Sequence, residues 1–249
     1  MDKKPSIAKS FNQYFNVNLA VTPEQKQDVY RVRYRVYCEE FGYEPLENFP
    51  DKQEYDDFDD RSLHCLITHK STGRPAGCVR LVSDAEQGEM PFERFCPGTL
   101  DQEFLDNLDL DRTTVCEISR LAVDGAFRRR AGEERTRFGE VDAIDCTHQE
   151  RRTFSMISVA AFLGATALTE STGRRNVFAM MEPFLPRLLK RSGIPFERAG
   201  EDIDYHGLRA PYFTRTQEAL DGMHEDLREL YDTIAGRIQE QYAESVKDS

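Results

Sequence analysis

The sequence predicts an α/β (α+β) fold: one mixed central sheet flanked by helices, with a helical extension at the C terminus. Three observations carry this. Residues 114–123 alternate as a strand does, with Val115, Glu117, Ser119, Leu121 and Val123 on one face and Cys116, Ile118, Arg120 and Ala122 on the other. The apolar runs 63–69 and 76–83 flank a turn holding Gly73 and Pro75, which reads as a hairpin. Residues 153–172 are apolar nearly all round, so a helix there must be buried. Strands and helices then alternate to about residue 214, and that order gives one mixed sheet.

Composition narrows the class. A chain of 249 residues suits one large domain, which we place at 1–215, with 216–249 as an amphipathic helix packing on it or on a partner. The 45 acids and 33 Lys plus Arg leave a net charge of −12, which excludes general binding along a nucleic-acid backbone. The longest nearly apolar run, 157–168, falls short of the ~20 residues of a membrane span. The first fifteen residues lack a signal-peptide apolar region, so a cytoplasmic location is expected. Six cysteines, at 38, 65, 78, 96, 116 and 146, form no Cys-x-x-Cys pair and no zinc spacing. No metal and no tightly bound cofactor is expected.

Taken in order, Thr22-Pro23-Glu24-Gln25 is a helix start with Thr22 as N-cap and Gln25 closing a capping box, and the helix runs to about Phe41. Arg33 shares the inward face of Val29 and Tyr37. A packed stem with a snorkelling head is one reading of it; a site residue is the other. The segment 39–60 carries ten acids and the single base Lys52, interleaved with Phe41, Tyr43, Phe49, Tyr55 and Phe58, and is expected to fold over something. Arg80 lies inside the second hairpin strand. Glu117 and Arg120 put a charge on each face of the next one, which marks either an edge with salt bridges or a site.

Residues 128–152 mix seven arginines with six acids. Gly173 ends the buried helix, 176–181 is a strand, 182–192 a helix closed by Gly193, and 195–199 and 208–214 are further strands. From 216 on, Leu220, Met223, Leu227, Leu230 and Ile234 step by three and four. Packing on the parent domain is favoured over a homodimer seam, because a coiled coil needs three or four heptads; monomer and homodimer both stay open.

The residues that stand out form a set: RYRVY at 33–37 with its flanks, FGY, EYDDFD, GCVRLV, MPFERF and EISRLAV. This set resembles the acyl-homoserine-lactone (autoinducer) synthases and the related long-chain N-acyl amino acid synthases, which share the GNAT acyl-CoA N-acyltransferase fold. The family's helix Arg and aromatic match Arg33 and Tyr37, and Tyr43 replaces a Trp. Two Asp match Asp56 and Asp59, the strand Arg matches Arg80, a downstream Phe matches Phe92, and Glu-x-x-Arg matches Glu117 and Arg120. Leu121 and Val123 follow on that strand as substrate-binding positions. The FRRR at 127–130 and the C-terminal tail look most like acyltransferases associated with PEP-CTERM/exosortase systems.

The resemblance implies transfer of an acyl group from the phosphopantetheine thioester of acyl carrier protein, or of CoA, to a small amine such as an amino acid. An amine nucleophile must lose a proton, and Glu117 is the first choice of base, with Asp56 and Asp59 as alternatives. Arg33, Arg80 or Arg120 is suited to hold an acceptor carboxylate, while Arg33 could instead lock the Asp56/Asp59 loop. Residues 117 and 120 of a regular strand face opposite ways, so one pocket for both demands a bulge near Ser119–Ala122, whose N–H groups could hold an oxyanion. The segment Arg129-Arg130-Ala131-Gly132-Glu133-Glu134 departs from the small-residue pyrophosphate cradle of CoA users. That departure and the cluster Arg128, Arg129, Arg130, Arg151 and Arg152, with Arg135 and Arg137, favour docking of an acidic carrier protein. A tunnel for a long acyl chain is expected along 154–168, with Phe178, Met180 and Met181 beside it. The runner-up is an autoinducer synthase using S-adenosylmethionine; a non-catalytic acyl-carrier-binding module is the reading from outside enzymology.

Overall fold

The computed structural model describes residues 5–83, 88–128, 153 and 155–247. Eight strands form one sheet in the order β1-β2-β3-β4-β5-β8-β6, with β7 paired to β8 off that path. Strand β1 is Phe15–Leu19, β2 Ser62–His69, β3 Pro75–Val82, β4 Val115–Val123, β5 Asn176–Met181, β6 Glu197–Arg198, β7 Ile203–Asp204 and β8 Leu208–Arg215. All neighbours are antiparallel except β4 and β5. That one parallel pair needs a crossover, and the buried helix predicted from sequence lies within it.

Helix α1 (Ile7–Tyr14) precedes β1, and neither is among the elements predicted from sequence. Each is short, so periodicity has little to register. Helix α2 (Pro23–Arg33) starts as expected: Thr22 accepts from Gln25 N–H at 3.3 Å, and the Gln25 side chain accepts from Thr22 N–H at 3.0 Å. It differs from expectation after Arg33. Residues Tyr34–Glu40 wind as a π-helix, closing with Phe41 N–H onto the Val36 carbonyl at 3.1 Å. The wider turn is the kind of local defect that gathers at sites.

The short helices α3 (Pro91–Phe95) and α4 (Gln102–Leu108) fill the link between β3 and β4. Helix α5 (Met156–Thr172) ends at Gly173, whose φ of 69° is the left-handed turn the sequence implied. Helix α6 (Leu185–Lys190) is shorter than the predicted 182–192. The C-terminal stripe is split between α7 (Thr216–Gly222) and α8 (Glu225–Lys247). Leu220, Met223, Leu227, Leu230 and Ile234 are all buried in the main core, where α8 packs on α5, α1 and β1. No described helix is long and apolar enough to cross a membrane.

Candidate active site

The site begins with a defect in β4. Opposite β3, Ser119 pairs Arg80 and Ala122 pairs Cys78, so Arg120 and Leu121 together face the single Val79. This is the bulge that the Glu117 to Arg120 spacing demands, in the place expected. Arg120 takes the strain, with a φ of 52°, where few side chains sit unless the surroundings hold them. Glu117 and Arg120 consequently line one cavity.

What holds Arg120 is a buried charge network. Arg33 gives Nε to Glu54 and a fork to both oxygens of Asp59, at 2.6 and 3.0 Å. Arg80 gives Nη1 to Asp56 (2.6 Å) and Asp59 (3.2 Å), and Nε to the Ser119 hydroxyl (3.1 Å). Arg120 gives Nε to Glu54 (3.1 Å) and Nη2 to Asp56 (3.2 Å). Three guanidiniums and three carboxylates thus alternate, and the Arg33 and Arg80 side chains are 0% exposed. Burial opposes ionisation of Glu54, but the charges of Arg33 and Arg120 outweigh it and hold its pKa at about 2. Asp59 is likewise held well below the usual range, Arg33 and Arg80 overcoming its burial. His64, beneath Asp59 at 3.5 Å, is driven down to about 3 by burial and so is neutral at pH 7.

The network corrects part of the sequence reading. Arg33, Arg80, Asp56 and Asp59 bind one another and line none of the three cavities around β4 described below. The guanidiniums of Arg33 and Arg80 are engaged by these carboxylates rather than turned to a cavity, and together the four residues pin the acidic segment across α2, β3 and β4. Glu54, which completes the pinning, was one acid among ten with nothing in its spacing to single it out.

Glu117 is different. It is 2% exposed, and burial pushes its pKa up to about 8, against the opposing pull of the Phe92 N–H, Arg80 and Arg120. That N–H donates to Oε2 at 2.8 Å, so Phe92 contributes its backbone here while its ring rests on Phe178 at 5.2 Å. Strands β4 and β5 stay paired only from Val115 to Glu117, opposite Asn176 to Phe178. Past Glu117 they part.

The parting opens a cleft of about 800 Å³, counting its open mouth, between residues 118–123 and 179–182. Leu121 and Val123 line it, as do Tyr37 and Tyr43. The Tyr37 hydroxyl donates to the Leu121 carbonyl at 2.9 Å, and Tyr43 stacks on Phe41 at 5.4 Å. A second cavity of about 500 Å³ shares Tyr37, Ser119, Arg120, Met180 and Arg209 with the cleft and adds Glu117, Glu44, Tyr205 and His206. A third, apolar one of about 390 Å³, likewise counting its open mouth, lies under α5 and shares Ile118, Phe162 and Ala179 with the cleft. Of the expected tunnel residues Phe162, Met180 and Met181 reach the cleft, whereas Phe178 packs with Phe92 and Phe213; Phe154 lies outside the described residues.

The docking cluster loses a member. Arg128 has a side chain only 2% exposed, ion-paired to Glu40 and set over the Phe41 ring, because the π-helical turn brings Glu40 against residues 125–128. A buried, paired guanidinium cannot greet a partner. Arg129, Arg130, Arg135, Arg137, Arg151 and Arg152 lie outside the described residues. Substituting Arg128 by Glu is expected to lower the melting temperature by several degrees, since it sets two carboxylates face to face; an unchanged melt would show that the pair is not formed in solution.

Residues 32–137 match the acetyltransferase (GNAT) domain model. An acyl-homoserine-lactone synthase of Aeromonas hydrophila is 24% identical over 220 residues, covering 83% of this chain and 92% of that protein. One from Aeromonas salmonicida is 25% identical over 179 residues, covering 71% and 72%. Among solved structures, TofI in a ternary complex with an inhibitor and MTA superposes with a TM-score of 0.58 at 20% identity, covering 84% of this chain and 95% of that one. FeeM, an N-acyl amino acid synthase from uncultured soil microbes, gives 0.54 at 13%, covering 84% and 94%. MesI, a CoA-dependent acyl-homoserine lactone synthase, gives 0.56 at 18%, covering 86% and 95%. Over residues 32–137 the chain thus matches the GNAT acetyltransferase domain, and its fold is the one that these synthases share.

Proposed function

We propose that the protein is an N-acyltransferase that moves an acyl group, long in chain, from the thioester of acyl carrier protein to the amine of an amino acid or similar small acceptor. The observation that carries this reading is the buried Glu117 carboxyl at the foot of the opened β4–β5 cleft. The cleft suits a narrow pantetheine arm. Glu117 takes a proton from the acceptor ammonium, the nitrogen attacks the thioester carbon, and a C–N bond forms. The bulge N–H groups of Arg120 and Leu121 meet the oxyanion. Collapse breaks the C–S bond, and the leaving thiolate takes up the second proton that the nitrogen gives up as the amide forms. Neither Asp56 nor Asp59 is required as a base.

Two features support a long chain and a carrier donor. The apolar cavity under α5 continues the cleft past Phe162, and an acyl tail fits such a space. Thr166→Phe, which narrows it, is expected to shift products toward shorter chains by mass spectrometry; an unchanged profile removes that cavity from the acyl path. The carrier donor rests on the arginines 129, 130, 151 and 152 and on the Glu-rich replacement of the phosphate cradle. Charge reversal at Arg129 and Arg130 is expected to raise KM for acyl carrier protein about tenfold, roughly the effect of ~1.4 kcal/mol, and to leave KM for acyl-CoA unchanged. The same change in both would assign those residues to the shared arm. The narrower association with PEP-CTERM/exosortase systems rests on FRRR at 127–130 and the C-terminal tail.

A second reading, an autoinducer synthase with S-adenosylmethionine as acceptor, is favoured by the two Aeromonas relatives. Mass spectrometry of products from long-chain acyl carrier protein, the twenty amino acids and S-adenosylmethionine separates the two. An N-acyl amino acid supports the first, an acyl lactone the second, and no acyl product overturns both.

A further inference from the structure

The cavity beside Glu117 raises a question that the network leaves open: which cation reads the acceptor. Arg33 and Arg80 are enclosed and paired, and Arg120 gives its fork to Glu54 and Asp56. Arg209, on β8, lines both the thioester cleft and the cavity that holds Glu117. Its guanidinium lies over the rings of Tyr43 and Tyr205, 5.8 Å from each centroid. Two aromatic shelves fix the plane of a planar fork, and five donors in that fork allow a ligand on one edge while a neighbour occupies another.

The hairpin from β7 to β8 builds the rest of this wall. Tyr205 N–H closes onto the Gly207 carbonyl at 3.0 Å, with His206 at a φ of 54° and Gly207 at 91°. That strained tip faces both side chains into the cavity, where the rings of Tyr205 and His206 meet at 4.4 Å and His206 Nε2 stands 3.5 Å from Glu44. The cavity therefore sets the carboxyls of Glu117 and Glu44 against two guanidiniums, Arg120, which is bonded to Glu54 and Asp56 and stands 3.9 Å from Glu44, and Arg209. This is the polarity of an α-amino acid, whose ammonium must reach Glu117 while its carboxylate needs a fork.

We infer that Arg209, framed by Tyr43 and the Tyr205–His206 turn, is the residue that recognises the acceptor's carboxylate and selects amino acids over simple amines. The inference rests on the proposed acyl transfer for its context. It also bears on the product. Lactone formation from S-adenosylmethionine would need a carboxylate oxygen to attack the sulfonium-bearing carbon, breaking its C–S bond and expelling methylthioadenosine; a carboxylate held in the Arg209 fork is kept from that attack. The favoured product is then the free N-acyl amino acid.

The test is saturation-transfer NMR of the full chain with amino acids and their decarboxylated counterparts, leucine with isopentylamine and tyrosine with tyramine, for the parent, Arg209→Met and Arg209→Lys. The expected result is that the parent binds at least one amino acid tenfold or more tighter than its amine, and that Arg209→Met erases the preference without weakening the amine. Arg209→Lys, which keeps the charge and loses the fork, is expected to fall between, and it carries the test if the Met variant does not fold. Equal affinity for amino acid and amine in the parent, or equal weakening of both in the variants, overturns the inference. So does a rise in KM for the acyl donor with the acceptor's KM unchanged. Because binding is read without turnover, an amino-acid preference lost in the variants while no acyl product forms would uphold the role of Arg209 and refute the transfer chemistry instead.

Discussion

Replacing Glu117 by Gln is expected to cut kcat by about 10²–10⁴-fold while leaving substrate binding nearly intact, which is the range that a positioned base contributes. Gln keeps the shape and can still accept from the Phe92 N–H, so the fold survives. The parent's rate should rise with pH, reach half its maximum near 8 and level off above that, because the base works only when ionised and burial has lifted its pKa to about 8. Stability should run the opposite way. Between the ordinary value of 4.5 and about 8 the folded chain holds a proton that the unfolded chain has released, so raising the pH across that window destabilises the fold. Glu117→Gln removes that slope and should melt higher than the parent at pH 9. A variant with full activity, or with the parent's pH slope in its melting temperature, would take the base role away from Glu117.

Removing Arg33 is expected to have the largest effect on stability. Arg33→Met strips the cation from Glu54 and Asp59 at once and leaves two carboxylates in a closed interior. Breaking one partner of a buried ion pair costs ~3–5 kcal/mol, and at roughly 2–4 °C per kcal/mol for a domain of this size the melting temperature should fall by about 6–20 °C. Glu54→Gln should cost less, since Arg33 keeps Asp59. Both losses should shrink in acid. Glu54 and Asp59 are held below their ordinary range, so their contribution is complete above about pH 4.5 and fades as the pH falls toward about 2. A melting curve of Arg33→Met that matches the parent's at pH 7 would show that the network does not hold the acidic segment. Activity should drop with stability here, because the same guanidiniums keep Arg120 and the bulge in place.

The two predictions draw on different layers of the molecule, and those layers were unequally legible in the sequence. The Thr22–Gln25 capping box, strand 176–181 and the turn at Gly173 follow from contacts a few residues long, and all three are present. The β4 bulge is a subtler case. It was deducible because two charged residues three apart on a strand can share one cavity only if the period of two is broken, and Arg120 does break it. The helix after Thr22 turns π-helical at Tyr34, which apolar spacing does not signal, since the same side chains suit either winding.

Local chemistry thus determined most of the strands, the buried helix, the acidic segment's need for a partner and the prominence of Glu117. Tertiary structure decided the pairings. Glu54 lies 21 residues from Arg33 and 66 from Arg120, and only the folding of the sheet and the loop selects it from ten acids. It withdrew Arg33 and Arg80 from the substrate by burying them with carboxylates, and it withdrew Arg128 by setting Glu40 against it. It brought Arg209 to the site from a strand that reads, in sequence, as an ordinary edge of the chain's last sheet segment. The physical reason is the same in each case: a side chain's type fixes what it can bind, but whether it meets water, a counter-ion or a cavity depends on chain segments far away in sequence.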